Sequence, residues 1–177
     1  AALPSGHVDW IEAPAPDAVP QLRARGMAIT QNLQPHFWPW QPCFAGDSPL
    51  KDVRVRRALN LAIDRDGLKQ LLGGFMEPSI GTVGPGHPWW GNPEFRIRTD
   101  KAEAKRLLAE AGYGPGKPLN LKVQISASGS GQMQPLPMNE FLQQDLKTIP
   151  TSRGSTTSSR RRLTRTSRAP RASAIPT

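Results

Sequence analysis

The sequence predicts an α/β fold, and two kinds of periodicity indicate it. Several stretches repeat apolar residues every three or four positions, as amphipathic helices do, whereas Leu119 to Ile125 alternates apolar and polar residues like a half-buried strand. A chain of 177 residues is long enough for one domain, or one and a fraction, with a core of useful size. Its 16 Gly and 19 Pro also predict that some stretches do not pack.

The first 34 residues predict a strand, a helix and a second strand. Val8 to Ile11 is the first candidate strand, and it ends at the turn-rich sequence Ala-Pro-Ala-Pro. A helix is expected from about Asp17 to Arg25, where Gly26 stops it. Met27 to Asn32 then alternates apolar and polar residues in the manner of a half-buried strand.

The segment from Pro35 to Pro42 is aromatic and contains three prolines. Proline fixes φ and has no backbone N–H, so it suits an extended crossing segment better than a central strand. We therefore interpret this segment as a connector.

Two helices are expected after the connector, each beginning at an aspartate. Asp52 is a candidate N-cap for the first helix, and Asp64 for the second, which Gly73 and Gly74 end. Five apolar residues of the first helix fall on one face, at i, i+3, i+4, i+7 and i+8: Val55, Ala58, Leu59, Ala62 and Ile63.

The rest of the body predicts a loop, two more helices and one strand between them. Glu77 to Pro93 is dense in Gly and Pro and favours an ordered loop. An acid-capped helix begins at Asp100 and stops at Gly112, and after the strand a final amphipathic helix covers Met138 to Ile149.

One continuous run indicates a family. Pro49 to Arg65, PLKDVRVRRALNLAIDR, closely resembles the DVRVRxALxxAIDR signature of family 5 extracellular solute-binding proteins, which include oligopeptide, dipeptide and nickel binders. Further matches follow in the family's order and spacing over about residues 5 to 149: Ser5 to Asp9, Gly73-Gly74, Glu77-Pro78, Gly84 to Pro88, and Asp100 with Ala104 to Tyr113. Several motifs in order are a specific signal, which a lone AID tripeptide would not be.

The resemblance implies a partial type II periplasmic-binding-protein-like fold, a fragment of a protein with two α/β lobes joined by crossing strands. Residues 1–34 then correspond to the end of a first-lobe segment, 35–44 to an inter-lobe crossing segment and 45–149 to the first half of the second lobe. Residues 150–177 depart from the family pattern. We hypothesise that they come from a shifted reading frame or a truncated gene.

The resemblance also implies a function. Such a protein is the substrate-binding component of an ABC importer, located in the periplasm or cell envelope. It captures a peptide or other small polar solute between its lobes and delivers it to the permease subunits. The chain begins at Ala1 and has no signal peptide, so we expect an internal fragment.

Candidate ligand contacts lie on the connector and on one loop. Trp38 and Trp40 line the cleft if the crossing strands form its floor, and otherwise they pack the hinge. The loop after Leu119 to Ile125 follows the carboxyl end of a strand, where open α/β sheets present ligand sites. Its candidate ligand-binding residues are Ser128, Ser130, Gln132 and Gln134, and an ordinary solvated loop is the alternative.

The charge of the chain gives the alternative function. Residues 151–177 carry 7 Arg and no acidic residue, so the first 150 residues hold 23 − 7 = 16 basic and 14 acidic residues, a balance of only +2. This composition predicts a disordered basic tail over residues 150–177. A basic nucleic-acid-binding protein acting through this tail is the alternative, with no nucleic acid expected for residues 1–149.

Catalytic and metal chemistry find no support in the residue spacing. Cys43 is the only cysteine, and the three histidines lie far apart without metal-ligand spacing. The Ser-Gly-Ser-Gly run at residues 128–131 lacks the first Gly of a nucleophile elbow. We predict no enzyme activity, no metal and no cofactor. The arginines at 54, 56 and 57 are interpreted as solvated or ion-paired with Asp52 and Asp64 rather than as an anion site.

Overall fold

The computed structural model describes residues 3–32, 37–84, 86–127, 133–151 and 155–159. Within these ranges the α-helices are α1 (Val19–Ala24), α2 (Val53–Ala62), α3 (Arg65–Leu71), α4 (Lys101–Glu110) and α5 (Pro135–Leu146). Short 3-10 turns precede α1 and α2, at Pro16–Ala18 and Pro49–Lys51. The strands are β1 (Lys122–Ser126) and β2 (Ser155–Ser159).

Three aspartates begin α2, α3 and α4, as the sequence predicts. The carboxylate of Asp52 accepts from Arg54 N at 2.8 Å, and that of Asp64 accepts from Gly67 N at 2.9 Å. Asp100 accepts from Glu103 N at 2.9 Å. Each carboxylate satisfies an N–H that has no partner within its helix. The helix starts are therefore fixed by local sequence.

Among the described residues, the apolar faces of α2, α4 and α5 meet in the larger of two core clusters. Ala58 and Leu61 of α2 and Leu108 of α4 are fully buried there, and Leu146 and Ile149 at the end of α5 close it. The smaller cluster joins α3 to α5, and its buried members are Leu68, Leu72, Met138 and Leu142. Helices α2 to α5 thus form one packed body against which the connector lies.

β1 and β2 form a parallel pair in which Lys122 lies opposite Ser155 and Ser126 opposite Ser159. Parallel strands need a crossover connection, and α5 supplies it. Hydrogen bonding between these two segments of the chain starts before β2. Leu119 N donates to Pro150 O at 2.9 Å, and Leu119 bridges to Thr151. The unit is a βαβ crossover packed on the helical core.

Ser155–Ser159 form a strand where composition favours disorder, and this differs from the predicted tail. Composition measures how much apolar surface a segment can bury, and this segment has almost none. Composition does not account for the backbone hydrogen bonds that the edge of β1 offers to a segment lying beside it. The remainder of the predicted tail, 152–154 and 160–177, lies outside the described residues.

The two strands expected near the N-terminus do not form. Residues 8–11 and 27–32 are both described and irregular, and Trp10 is exposed. Alternation alone does not make a strand, because a strand needs a neighbouring strand to pair with. The helix between them is confirmed as α1, with Gly26 just beyond its end at φ +79°. Across the described ranges, each helix is too short or too polar to cross a bilayer.

Candidate functional site

Trp40 lies where the connector meets the helical body. Its half-buried ring packs against both core clusters. Its indole Nε1–H donates to Oδ1 of Asn139, 3.0 Å away on α5. The connector at this point is therefore held both by apolar contact and by one directed hydrogen bond.

Asn139 is buried, with 3% of its surface exposed, and both ends of its amide have partners. While Oδ1 accepts from Trp40, Nδ2 donates to the backbone carbonyl of Pro135 at 2.6 Å. An indole N–H can only donate and a carbonyl can only accept, so the two neighbours fix the orientation of the amide. A buried amide satisfied at both ends links the connector to the first turn of α5.

Trp38 lies near Trp40, on the smaller cluster formed by α3 and α5. It is half-buried, so part of its ring faces outward. Both connector tryptophans thus rest on the body that contains α5. Both are packed on one side and partly exposed on the other.

Gln134 directly precedes α5, and its carbonyl accepts the N–H of Met138 at 3.0 Å. Its side chain is partly buried. Because Asn139 is only five positions further on, Gln134 and the Trp40 contact lie at the same end of α5. The loop from the carboxyl end of β1 arrives at this end. The other predicted contacts on that loop, Ser128, Ser130 and Gln132, lie outside the described residues.

The side chain of Arg54 in α2 donates its hydrogen bonds to other groups of the protein. Arg54 pairs with Asp52 at 2.6 Å and donates to the carbonyl of Glu110 at the end of α4, 2.8 Å away. The side-chain hydrogen bonds from Arg54 lower the pKa of Asp52 from its ordinary value. The interpretation of Arg54 as an ion-paired structural residue is consistent with these contacts. Asp64 instead caps α3.

Arg56 and Arg57 also contact protein groups. Arg56 donates to the carbonyls of Leu50 and Lys51 at 2.7 and 2.9 Å and lies over the ring of Phe44. Arg57 lies over the ring of Phe95, 5.4 Å from its centre. These contacts hold Phe44, the Pro49–Lys51 turn and the loop that contains Phe95 against α2.

Arg65 is a further structural arginine that the sequence does not single out by spacing. Its Nη1 donates to the carbonyl of Asn60 at 2.9 Å, and its Nη2 donates to the Asn60 side-chain oxygen at 3.1 Å. Burial lowers the pKa of Arg65. Its guanidinium braces the turn between α2 and α3.

Two buried polar residues of α5 were missed by sequence reasoning, Asn139 and Asp145. Both fall on the apolar stripe of the helix, since Asn139 is three positions before Leu142 and Asp145 three after it. A polar residue on such a stripe needs a partner, and this signal could have identified both. In the described ranges, no three His, Cys, Asp or Glu side chains gather in a way that could hold a metal ion.

The described structure is therefore a helical body with a connector segment packed against it. Residues 1–149 match the family model of bacterial extracellular solute-binding proteins, family 5 Middle. The chain therefore belongs to this family. The predicted resemblance is confirmed.

Two curated relatives support the assignment. The chain is 32% identical over 102 residues to di/tripeptide-binding protein 2 of Pseudomonas aeruginosa, a match that covers 57% of this chain and 19% of the relative. It is 39% identical over 89 residues to the periplasmic oligopeptide-binding protein OppA of Escherichia coli, covering 45% of this chain and 16% of the relative. The chain thus spans less than a fifth of the length of either relative.

Solved structures confirm the predicted fold class. The murein tripeptide-binding protein MppA of Escherichia coli superposes with a TM-score of 0.60 at 24% identity, over 83% of this chain and 30% of that protein. NikA of Staphylococcus aureus, solved in complex with Ni(L-His)2, gives a TM-score of 0.50 at 26% identity, over 60% of this chain and 22% of that protein. The fold is that of part of a periplasmic binding protein.

Proposed function

We propose that this chain is part of the substrate-binding component of an ABC importer, which captures a peptide or other small polar solute between two lobes and delivers it to permease subunits. Family membership over residues 1–149 carries this proposal. The names of the two curated relatives, a di/tripeptide-binding protein and an oligopeptide-binding protein, favour a peptide as the solute. The corresponding location is the periplasm or cell envelope.

The solute site is proposed at the junction of the connector and the amino end of α5. Trp38, Trp40 and Gln134 lie there, and Ser128, Ser130 and Gln132 belong to the loop that enters α5. Because the indole N–H of Trp40 is already bound to Asn139, this residue offers a ring surface rather than a hydrogen-bond donor. Aromatic surface with a few placed polar groups is the usual lining of a solute pocket.

Capture of this kind requires no covalent step, so we propose that the protein is not an enzyme. Affinity arises when two lobes close on the ligand and exclude water. The resemblance to binding proteins supports this. The basic tail alternative rests on residues outside the matched range, and it leaves the match over 1–149 unexplained.

A chimaera tests the proposal directly. Residues 5–149 would replace the matched segment of MppA from Escherichia coli, and tripeptide binding would be measured by calorimetry. We expect saturable binding by the folded chimaera. Gln134→Ala should weaken it, whereas Gln144→Ala, an exposed amide on the same helix, should not. A chimaera that folds, shown by circular dichroism, but binds no peptide contradicts the proposed function.

A further inference from the structure

Asn139 occupies an unusual position between two parts of the candidate site. Its partner Trp40 is 99 positions away along the chain and belongs to the connector, whereas Pro135 is one turn away and belongs to the helix start. Trp40 and Asn139 therefore bring distant segments into contact at the end of α5 where Gln134 lies. Two hydrogen bonds of one amide thus link the connector to this turn.

The burial of Asn139 makes this contact hard to exchange for water. Only 3% of the residue is exposed, so an amide atom that loses its partner stays unsatisfied and costs free energy. The Trp40 ring cannot slide along α5 without breaking its bond to Oδ1. It also cannot rotate freely, because both core clusters enclose part of it.

The same side chain also contacts the first turn of α5. Pro135 and Pro137 lie in this first turn, where a backbone N–H has no partner within the helix, so proline removes no helical hydrogen bond there. The side chain of Gln134 makes no cap hydrogen bond to the helix start. The bond from Asn139 Nδ2 to the carbonyl of Pro135 is therefore a direct side-chain tie on the residue next to Gln134.

We propose that Asn139 is a positioning residue: through its two hydrogen bonds it fixes Trp40 of the connector to the turn that carries Gln134, so that both move as one unit when the lobes close. This inference rests on the proposed function, because lobe closure is part of that function. The coupling itself exists without ligand and is measured without ligand.

The first experiment uses hydrogen exchange of the tryptophan indole N–H groups in the 177-residue chain labelled with ¹⁵N. We expect the Trp40 indole to exchange more slowly than that of Trp89, whose ring is 84% exposed. Asn139→Leu should accelerate Trp40 exchange about fivefold, as loss of one ordinary hydrogen bond predicts. Unchanged Trp40 exchange in this variant overturns the proposal.

A second measurement asks whether the two segments are coupled. Trp40→Phe keeps the ring contact and removes the donor, and it should shift the backbone amide resonances of Gln134 and Leu136. Asn139→Leu should shift the same resonances, and the double variant should add little to either. Trp38→Phe is the matched control, because it truncates a tryptophan on the same connector and cluster. Equal shifts from Trp38→Phe and Trp40→Phe overturn the proposal.

The last measurement separates positioning from a purely structural role. In the MppA chimaera, Asn139→Leu should weaken tripeptide binding about fivefold while circular dichroism stays unchanged. Lower thermal stability with unaltered affinity would show a structural role only and overturn the proposal. Should Asn139→Leu fail to fold, Trp40→Phe provides the same readouts. A parent chimaera without any binding refutes the proposed function, and the exchange results still decide the coupling.

Discussion

The backbone N–H of Asp64, the N-cap of α3, donates to Oδ2 of Asp145 on α5 at 2.8 Å. The other oxygen of the same carboxylate accepts from Nζ of Lys101 at the start of α4, also at 2.8 Å. One carboxylate, with 10% of its side chain exposed, therefore ties the starts of two helices to α5.

Asp145→Ala should lower the free energy of unfolding by about 2 kcal/mol, since it leaves the half-buried Asp64 N–H without a partner. Lys101→Met should cost less, about 1 kcal/mol or below, because the lysine is partly exposed and its ion pair is screened. Urea denaturation of both variants measures the difference. Equal losses in the two variants would show that the ion pair, and not the N–H contact, is the larger contribution.

Gly67 in the first turn of α3 is expected to resist replacement by alanine. Alanine favours a helix over glycine by about 1 kcal/mol. A Cβ at this position, however, would lie 2.6 Å from Oδ2 of Asp64 and 2.9 Å from the ring of Phe141. Asp64 cannot move away without giving up its cap on Gly67 N.

Gly67→Ala should therefore lower the melting temperature despite its better helix propensity. Gly116→Ala is the control, because a Cβ there meets no atom within 4 Å. Thermal unfolding followed by circular dichroism compares the two. A higher melting temperature for Gly67→Ala would mean that α3 shifts to accept the methyl group.

The cap of α4 should make stability depend on acid. The backbone hydrogen bond from Glu103, with the nearby charge of Arg98, lowers the pKa of Asp100. A carboxyl group whose folded pKa is depressed contributes stability above its unfolded pKa, and this contribution is lost as the pH falls through the folded value, below about pH 4. Asp100→Asn keeps a capping oxygen and removes the titration.

We expect the melting temperature of Asp100→Asn to fall less steeply than that of the parent chain between pH 5 and pH 3, values set by the ordinary Asp pKa of about 3.9. Asp100→Ala, which removes both the cap and the titration, should already be less stable than the parent chain at neutral pH. Parallel melting curves for the parent chain and Asp100→Asn would contradict the assignment of this titration to Asp100.

The 177-residue chain by itself should bind peptides weakly or not at all. The proposed site lies between two lobes, and the chain spans less than a fifth of its curated relatives. Most of the surface that would enclose a ligand is then contributed by parts without a counterpart here. Calorimetry with a tripeptide library measures this. A saturable micromolar signal would show that the connector and α5 form a sufficient site.

Local sequence predicted the helices of this structure because their signals lie within a few residues. The caps of α2, α3 and α4 join residues two or three positions apart. The long-range hydrogen-bond partners were not predictable in this way, since Asp64 and Asp145 are 81 positions apart and Trp40 and Asn139 are 99 apart. Only the folded chain brings such residues together, although the polar residues on the α5 stripe indicate that partners exist.

The candidate site was predicted in part for the same reason. Resemblance and the aromatic run indicated Trp38 and Trp40, and the end of the alternating segment indicated the loop before α5. Neither signal revealed that a single amide joins Trp40 to Pro135, the first residue of α5. β2 was missed because a strand of serine and threonine has no apolar pattern, and its pairing with β1 depends on the backbone alone.

The side chains of Arg54, Arg56 and Arg57 hold carbonyls, a carboxylate and aromatic rings of their own chain. In the Pro49 to Arg65 run, which most clearly marks the family, these arginine side chains therefore stabilise the fold. Two proteins that share this run can bind different solutes, and a change of solute during evolution need not alter these arginines. At the proposed solute site, the residues at the amino end of α5 can then differ between such proteins while the contacts of α2 stay the same.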